Sequence, residues 1–300
     1  MKAGRGTGDE GRVMPRRQFV ELLAAGAAGL GTRPSSLVPR PSSSRLGRIG
    51  VQLYTVRDLL KQDFDGTLAS VAKIGFKEVE FAGYFDHTPQ QVRAALDRNG
   101  LDAPAAHVGF EATDDGWDAV LHTARLIGHR FVVCAWIPEE QRRTADDWKR
   151  VAQRFNRAGA ACREAGLQLA FHNHSYEFVP LPDGRLPYDL LLAETDPALV
   201  RLELDLFWIT FGGGDPLAYF TRYPGRFPLV HVKDMQPKPA PDVAPERVMT
   251  EVGQGSIDWK RIFARARDAG IEHYFVEHDQ PADPLGSIRT SYQYLRGLEF

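Results

Sequence analysis

The chain has 300 residues, of which 43% are hydrophobic and 25% charged, a composition typical of a globular protein with a sizeable core. The 37 Lys and Arg residues nearly balance the 39 Asp and Glu residues, which argues against nucleic acid as a partner because phosphate binding needs a clustered basic surface. Two cysteines, Cys134 and Cys162, are too few for a disulfide scaffold and are predicted to be buried free thiols. The sequence contains no run of about 18 apolar residues, so we expect no stable membrane span.

The N-terminal part of the chain is predicted to lie outside the folded domain. Residues 1–13 are Gly-rich and polar, which is typical of disorder. Arg16-Arg17 then precede a short stretch of small apolar residues, an arrangement that resembles a twin-arginine export signal, although a disordered leader is the alternative. We therefore predict a signal and linker over residues 1–45 and a catalytic domain over 46–300. Export to the cell envelope follows if the leader functions, and a cytoplasmic location if it does not.

From Ile49 onward, short apolar runs alternate with longer segments of helical period. The predicted strands are Ile49–Tyr54, Glu78–Phe81, Ala103–Val108, Phe131–Ala135, Leu167–Phe171, Val200–Leu204, Leu229–Val232 and Tyr274–Glu277. The predicted helices are Phe64–Ile74, Pro89–Asn99, Gly116–Leu126, Ala145–Ala165, Tyr188–Glu194, Pro216–Arg222, Asp258–Ala269 and Pro284–Leu295. Eight strand–helix pairs predict a single-domain α/β fold, the (β/α)8 TIM barrel. A doubly wound open sheet is disfavoured because no glycine fingerprint follows the first strand.

Polar residues are concentrated where the predicted strands end, which is where the active sites of such barrels lie. These residues are Gln52, Tyr54, Glu80, His107, Trp136, His172, His174, Glu177, Glu203, Asp205, His231, Lys233, Glu277 and Asp279. Residues two apart on a strand point to the same side. Val230 and Val232 are expected to face the helices, which directs His231 and Lys233 inward. By the same alternation, each of the last four strands presents a carboxylate or an imidazole to the barrel mouth.

Carboxylates that converge in this way predict one bound divalent metal ion, because buried carboxylates would otherwise shift their pKa values and protonate. Imidazole and carboxylate ligands together favour Mn²⁺, Zn²⁺, Co²⁺ or Fe²⁺ over Mg²⁺. Any one of these residues alone is more often a structural hydrogen-bonding group or a helix cap. A site is indicated because such side chains point inward on four successive strands.

Five motifs occur in order along the chain: FHNHSYEF at 171–178, LELDL at 202–206, VHVKD at 230–234, VGQGSID at 252–258 and FVEH at 275–278. Together they resemble the sugar phosphate isomerase/epimerase family, whose members have a xylose isomerase-like TIM barrel. The resemblance covers roughly residues 48–297 and implies a divalent metal held by His172 or a neighbour, Asp205, His231 and Glu277. Many members carry Glu at the fifth-strand position. His172 instead resembles a subgroup with a His-Asn-His-x-x-Glu-Phe motif, whose substrates are less well defined.

The resemblance implies a reaction that starts by removing a proton from a carbon next to a carbonyl. We predict Glu277 as the base, with Glu177 or His174 as its partner. Lys233 is expected either to stabilise the developing oxyanion or to pair with Asp205 or Glu203. The predicted substrate-binding residues are Gln52, Tyr54, Glu80, His107 and Trp136.

Four functions remain open at this point. The first, which is the leading prediction, is a metal-dependent isomerase or epimerase that acts on a free sugar, keto-sugar or cyclitol. The second is a dehydratase or lyase that uses the same site for β-elimination on an inosose or a 3-keto-glycoside. The third is a barrel that binds a sugar or metal without catalysis, and the fourth, an abasic-site endonuclease, is disfavoured by the net charge of −2. A small carbohydrate is thus the expected partner, and assembly into a homo-oligomer is left open.

The glycine-rich loop Gly253–Gly255 allows two interpretations. Its backbone N–H groups can bind a phosphate or a sugar, or it can be a tight loop ahead of a helix that Asp258 caps. No cluster of arginines accompanies the loop, so a phosphorylated substrate is not favoured.

Overall fold

A computed structural model describes residues 44–114, 116–237 and 243–300. The predicted export signal around Arg16-Arg17 lies outside these residues, and export therefore stays a prediction. Across the ranges described, every helix is too short or too polar to cross a membrane.

Eight parallel strands close into a barrel, which confirms the predicted (β/α)8 fold. They are β1 (Gly50–Gln52), β2 (Glu78–Phe81), β3 (Asp102–Val108), β4 (Phe131–Cys134), β5 (Gln168–His172), β6 (Val200–Asp205), β7 (Leu229–Val232) and β10 (His273–Val276). The strand order around the barrel is β1-β10-β7-β6-β5-β4-β3-β2. Two short antiparallel strands that the sequence did not predict, β8 (Asp234–Met235) and β9 (Met249–Thr250), lie between β7 and β10 in the chain.

The helices follow the strands in the expected alternation. They are α1 (Arg57–Gln62), α2 (Phe64–Ile74), α3 (Pro89–Asn99), α4 (Trp117–Ile127), α5 (Ala145–Glu164), α6 (Pro187–Glu194), α7 (Leu206–Phe211), α8 (Pro216–Arg222), α9 (Trp259–Phe263), α10 (Ala266–Ala269) and α11 (Pro284–Gly297). The short helices α1 and α7 are additional to the prediction, and the single helix predicted over Asp258–Ala269 is divided into α9 and α10. The predicted first strand ends early because the Gln52 side chain accepts a hydrogen bond from Tyr54 N and starts a 3-10 turn.

The barrel interior has its own small apolar cluster, separate from the large core between sheet and helices. This cluster consists of Ala105, Phe131, Val133, Ala170, Leu229 and Phe275. Ala170 lies two residues before His172 on its strand, and Leu229 lies two residues before His231. Because strand side chains alternate, the apolar cluster fills the barrel below the histidines and directs them into the same interior.

Gly50 on β1 is required by close packing inside the barrel. A Cβ atom at this position would lie 2.6 Å from Phe275 Cδ1 and 3.2 Å from Glu78 Cβ. We expect Gly50→Ala to lower the free energy of unfolding by about 1–3 kcal/mol, the usual effect of overpacking a core. Urea denaturation measures this change.

The control for this prediction is Gly47→Ala, because Gly47 is exposed and a Cβ there would meet no atom within 4 Å. Its free energy of unfolding should stay within about 0.5 kcal/mol of the parent value. Equal effects of the two substitutions would contradict the steric explanation.

Candidate functional site

A cavity of about 560 Å³ opens at the C-terminal ends of the barrel strands. Seven of the predicted site residues line it: Tyr54, His107, Trp136, His172, His174, Lys233 and Glu277. Asp279 also lines the cavity. The sequence places Asp279 at a strand end, and no role was predicted for it. Its position two residues after Glu277 was the signal that it faces the same side. The predicted site is therefore largely assembled around one cavity.

The other predicted residues, Gln52, Glu80, Glu177, Asp205 and His231, are completely buried and lie outside the cavity lining. Gln52 Nε2 donates to Glu80 Oε2 at 2.8 Å, while Gln52 Oε1 accepts from Tyr54 N at 3.0 Å. Both ends of the Gln52 amide are thus occupied by protein groups. The substrate-binding role of Gln52 and Glu80 stays a prediction; in the structure both are buried and bonded to protein groups outside the cavity lining.

Lys233 is held by three carboxylates. Its Nζ lies 2.7 Å from Glu277 Oε2, 2.9 Å from Asp279 Oδ1 and 3.1 Å from Asp205 Oδ2. Burial alone would lower the pKa of Lys233, but these carboxylates outweigh burial and raise the pKa well above its ordinary value. Of the pairing partners predicted for Lys233, the structure shows Asp205. The side chain is a permanent ammonium group at the cavity wall.

Asp205 is fixed by the backbone around it. Its Oδ1 accepts a hydrogen bond from Trp208 N at 2.8 Å, which caps α7, and its own N–H donates to Asn173 Oδ1 at 3.0 Å. Burial raises the pKa of Asp205 to about 6, although Lys233 opposes that shift. The other carboxylate oxygen, Oδ2, remains directed at Lys233.

The rings of His231 and His172 lie between two groups of acidic side chains, and each ring directs one nitrogen at each group. His231 Nδ1 lies 2.7 Å from Glu277 Oε2, while Nε2 lies 2.7 Å from Glu80 Oε2 and 3.1 Å from Glu203 Oε2. His172 Nε2 lies 3.8 Å from Asp205 Oδ2, and its Nδ1 lies 3.1 Å from Glu203 Oε2. The two rings therefore separate Asp205 and Glu277 on one side from Glu80 and Glu203 on the other.

Among the described residues, two clusters bring possible metal-ligand atoms within 4.8 Å of one another. The outer cluster is Asp205, His231 and Glu277, and the inner cluster is His107, His172, Glu203 and His231. We call the second cluster inner because its Glu203 lies two residues before Asp205 on β6, farther from the C-terminal end of the strand. The structure brings together three of the four ligands that the resemblance implies and places His172 in the inner cluster instead.

The chemistry of both clusters fits a divalent transition-metal ion. Each combines imidazole nitrogen with carboxylate oxygen, the donors that Zn²⁺, Mn²⁺, Co²⁺ and Fe²⁺ accept. Three buried carboxylate oxygens in or beside these clusters have no hydrogen-bond partner: Glu80 Oε1, Glu203 Oε1 and Asp205 Oδ2, the last of which has only its ion pair with Lys233. Buried polar atoms are rarely left in this state, and a bound cation would satisfy them.

His174 and Glu177, the two candidate partners for proton transfer, have different locations. His174 lines the cavity, and burial together with the positive charge of Lys233 lowers its pKa to about 3. Glu177 is fully buried, its Oε2 accepts a hydrogen bond from His174 N at 2.9 Å, and burial raises its pKa to about 8. Glu177 therefore holds the loop that carries His174, whereas the His174 ring faces the cavity as a neutral imidazole.

His107 behaves differently from His174, because two carboxylates face it. Burial alone would lower the pKa of His107, but Glu80 and Glu203 raise it to about 9. Its Nε2 lies 2.8 Å from Glu203 Oε2 and 3.3 Å from Glu80 Oε2. In the absence of a metal, His107 is therefore cationic.

Two exposed aromatic rings belong to the cavity wall, Tyr54 with 39% and Trp136 with 46% exposure. The guanidinium of Arg57 lies 3.9 Å from the Tyr54 ring centre, which fixes that ring over the end of β1. Exposed aromatic rings beside polar groups are suited to the apolar face of a sugar. Their position agrees with the substrate-binding role predicted for them.

The glycine-rich loop binds a protein carboxylate. Gly253 N donates to Asp234 Oδ2 at 2.8 Å, Gly255 N lies 3.3 Å from the same oxygen, and Asp258 accepts from Arg261 N at 3.1 Å as the cap of α9. Because these N–H groups are already used, the tight-loop interpretation is the one that the structure supports.

Comparison with known proteins extends these observations. A family model described as "Xylose isomerase-like TIM barrel" matches residues 68–298. The inosose dehydratase of Geobacillus kaustophilus is 28% identical over 273 residues, which covers 78% of this chain and 87% of the relative. The inosose dehydratase of Clostridium perfringens strain 13 is 29% identical over 274 residues, 80% of this chain and 91% of the relative. A crystal structure of a sugar phosphate isomerase/epimerase from Parabacteroides distasonis superposes with a TM-score of 0.73 at 26% identity, covering 88% of this chain and 98% of the other.

Proposed function

Because this chain belongs to the xylose isomerase-like TIM barrel family, we propose that it is a metal-dependent lyase that removes water from a keto-cyclitol or keto-sugar by β-elimination. The inosose dehydratases among its relatives support this choice over the isomerase or epimerase that the motifs first suggest. The choice also agrees with the fifth strand, where His172 replaces the glutamate expected of an enzyme with two symmetric carboxylate bases.

One observation carries the proposal: the same cavity is lined by a neutral imidazole and a protonated ammonium group. β-Elimination needs a group that accepts the proton from carbon and a group that donates one to the departing hydroxyl. His174, with its pKa near 3, is unprotonated at neutral pH, and Lys233, with its raised pKa, is protonated. Epimerisation would instead need two groups that each accept and return a proton at the same carbon.

In the proposed reaction, His174 takes the proton from the carbon next to the substrate's carbonyl. The electron pair of that C–H bond forms the new double bond, and the neighbouring C–O bond breaks. Lys233 donates a proton to the leaving oxygen, so that water departs, and the proton on His174 returns to Lys233 through solvent. A divalent ion, which Asp205, His231 and Glu277 would hold, would supply Lewis-acid polarisation of the carbonyl.

This assignment changes the role predicted for Glu277. Its Oε2 lies 2.7 Å from Lys233 Nζ and 2.7 Å from His231 Nδ1, and these two partners keep the pKa of Glu277 well below its ordinary value although burial opposes them. A carboxylate oxygen engaged by both partners is not free to take a proton from substrate, whereas the His174 ring lines the cavity and its Nδ1 has no hydrogen-bond partner. We therefore assign Glu277 to holding Lys233 and the metal, and proton abstraction to His174.

The test is incubation of the metal-loaded protein in D₂O with an inosose, a 3-keto-glycoside and a ketose. We expect at least one of the keto-substrates to lose water or its aglycone and to form a conjugated double bond, visible by NMR and ultraviolet absorbance. The same mixture without protein is the control. If the substrate incorporates deuterium and yields only a new stereoisomer or a ketose–aldose pair, the result would contradict a lyase.

Isomerisation or epimerisation is the second candidate, because it shares the proton-abstraction step. The Parabacteroides distasonis structure, which carries the name of a sugar phosphate isomerase/epimerase, supports it. Binding without any deuterium exchange would instead favour the non-catalytic barrel and overturn both enzymatic proposals.

A further inference from the structure

We propose that the inner cluster is a second cation site, in which His107, His172, Glu203 and His231 bind a divalent ion of the Zn²⁺, Mn²⁺, Co²⁺ or Fe²⁺ class. This site goes beyond the proposed reaction, which uses the ion of the outer cluster. It shares one ring, His231, with that cluster.

The geometry of the inner cluster is close to that of a metal centre. Three imidazole nitrogens approach a single oxygen, Glu203 Oε2: His107 Nε2 at 2.8 Å, His172 Nδ1 at 3.1 Å and His231 Nε2 at 3.1 Å. Ligands bound about 2.1 Å from a tetrahedral ion are separated by about 3.4 Å. The ligand atoms of all four side chains lie within 4.8 Å of one another, so side-chain movements of about 1 Å would admit an ion between them.

Hydrogen bonds alone satisfy this cluster poorly. His107 and His172 hydrogen-bond to Glu203 Oε2, and His231 Nε2 lies 3.1 Å from the same oxygen although its own hydrogen bond goes to Glu80 Oε2 at 2.7 Å. The second oxygen, Glu203 Oε1, is buried and has no partner, although Glu203 is completely shielded from solvent. A divalent ion would replace these hydrogen bonds by coordination to three rings and one carboxylate.

Negative charge is concentrated around the two clusters. The carboxylates of Glu80, Glu203, Asp205, Glu277 and Asp279 lie next to one another through their shared histidine and lysine partners. Such a group of buried carboxylates attracts cations.

Two features allow both ions to be bound together. His231 directs Nδ1 at the outer cluster and Nε2 at the inner cluster, so each nitrogen serves one ion once the ring has released its N–H proton to solvent and become an imidazolate. His107 and His172 line the cavity, which gives an ion a path to the inner cluster.

The experiment is a metal count on the full-length protein after loading with Zn²⁺ and removal of free ion by gel filtration. We expect two ions per chain in the parent protein, one in Glu203→Gln, and one in Glu277→Gln, which removes a ligand of the outer cluster. His107→Gln is a second inner-cluster variant, so that the test survives if Glu203→Gln does not fold.

The matched control is Glu78→Gln. Glu78 is buried and bonded to a histidine, with its Oε2 2.7 Å from His273 Nδ1, but it lies at the N-terminal end of β2, away from both clusters. This variant should keep both ions, which separates loss of a ligand from loss of any buried glutamate.

The outcomes distinguish this inference from the proposed function. The parent protein could bind a single ion that is lost in Glu277→Gln but kept in Glu203→Gln and His107→Gln. That result would overturn the inner site and leave the lyase proposal standing. A single ion with the reverse behaviour would support the inner site and remove the outer ion from the proposed reaction. Failure of the parent protein to bind any ion would overturn both.

Discussion

His174→Ala is expected to lower kcat for the elimination by about 10²–10⁴-fold, the usual contribution of a positioned general base. The KM should change little, because the aromatic rings and the metal are unaffected. Exchange of the substrate's α-proton with D₂O should fall by the same factor as kcat, since the imidazole that removes the proton is missing. Steady-state kinetics and NMR exchange rates measure the two effects.

His122→Ala is the matched control, because His122 is an exposed histidine on α4. It should keep the parent rate and the parent exchange. If His174→Ala retains proton exchange while Glu277→Gln loses it, the base is Glu277 and the assignment to His174 is wrong.

Lys233→Met is expected to destabilise the metal-free protein by about 3–5 kcal/mol, because removal of one partner of a buried ion pair leaves uncompensated charge. Here the carboxylates of Asp205, Glu277 and Asp279 all lose their ammonium partner. Urea denaturation in the presence of a chelator measures the change. Lys260→Met, at an exposed position on α9, should stay within about 0.5 kcal/mol of the parent protein.

The destabilisation should depend on pH in a defined direction. Burial already raises the pKa of Asp205 to about 6 with Lys233 present, and loss of Lys233 raises it further. A carboxylate whose pKa is higher in the folded than in the unfolded protein, where it is about 3.9, binds protons on folding. Lys233→Met should therefore be most destabilising above about pH 7 and recover as the pH falls toward about 5. A destabilisation that does not vary with pH would show that lost packing, rather than unpaired charge, is responsible.

The strand pattern predicted most of the barrel because the alternation of side chains is a local property of each strand. The bounds of β2 and β7 agree with the prediction, and those of α2, α3 and α8 do as well. Local hydrogen bonds explain the main differences. Gln52 ends β1 by capping a turn, and Asp205, read from the sequence as the end of a strand, also begins α7.

The candidate site was only partly predictable. Alternation placed Glu203 on the inner face of β6, but nothing local indicated that it would face three histidines. Likewise, Glu177 follows His174 closely in the chain and was an equal candidate for proton transfer. Its burial under the loop became visible only when neighbouring elements were packed around it.

From its sequence alone, this protein is a (β/α)8 barrel with imidazoles and carboxylates at successive strand ends, because strand periodicity and helix termination depend on neighbouring residues. Tertiary structure decided how those groups pair across the barrel. Glu80 and His231 are 151 residues apart in the chain, yet their side chains lie 2.7 Å apart. Barrel closure sets that distance, and with it the division of the residues into two clusters, because the stagger of the strands determines which side chains share a layer.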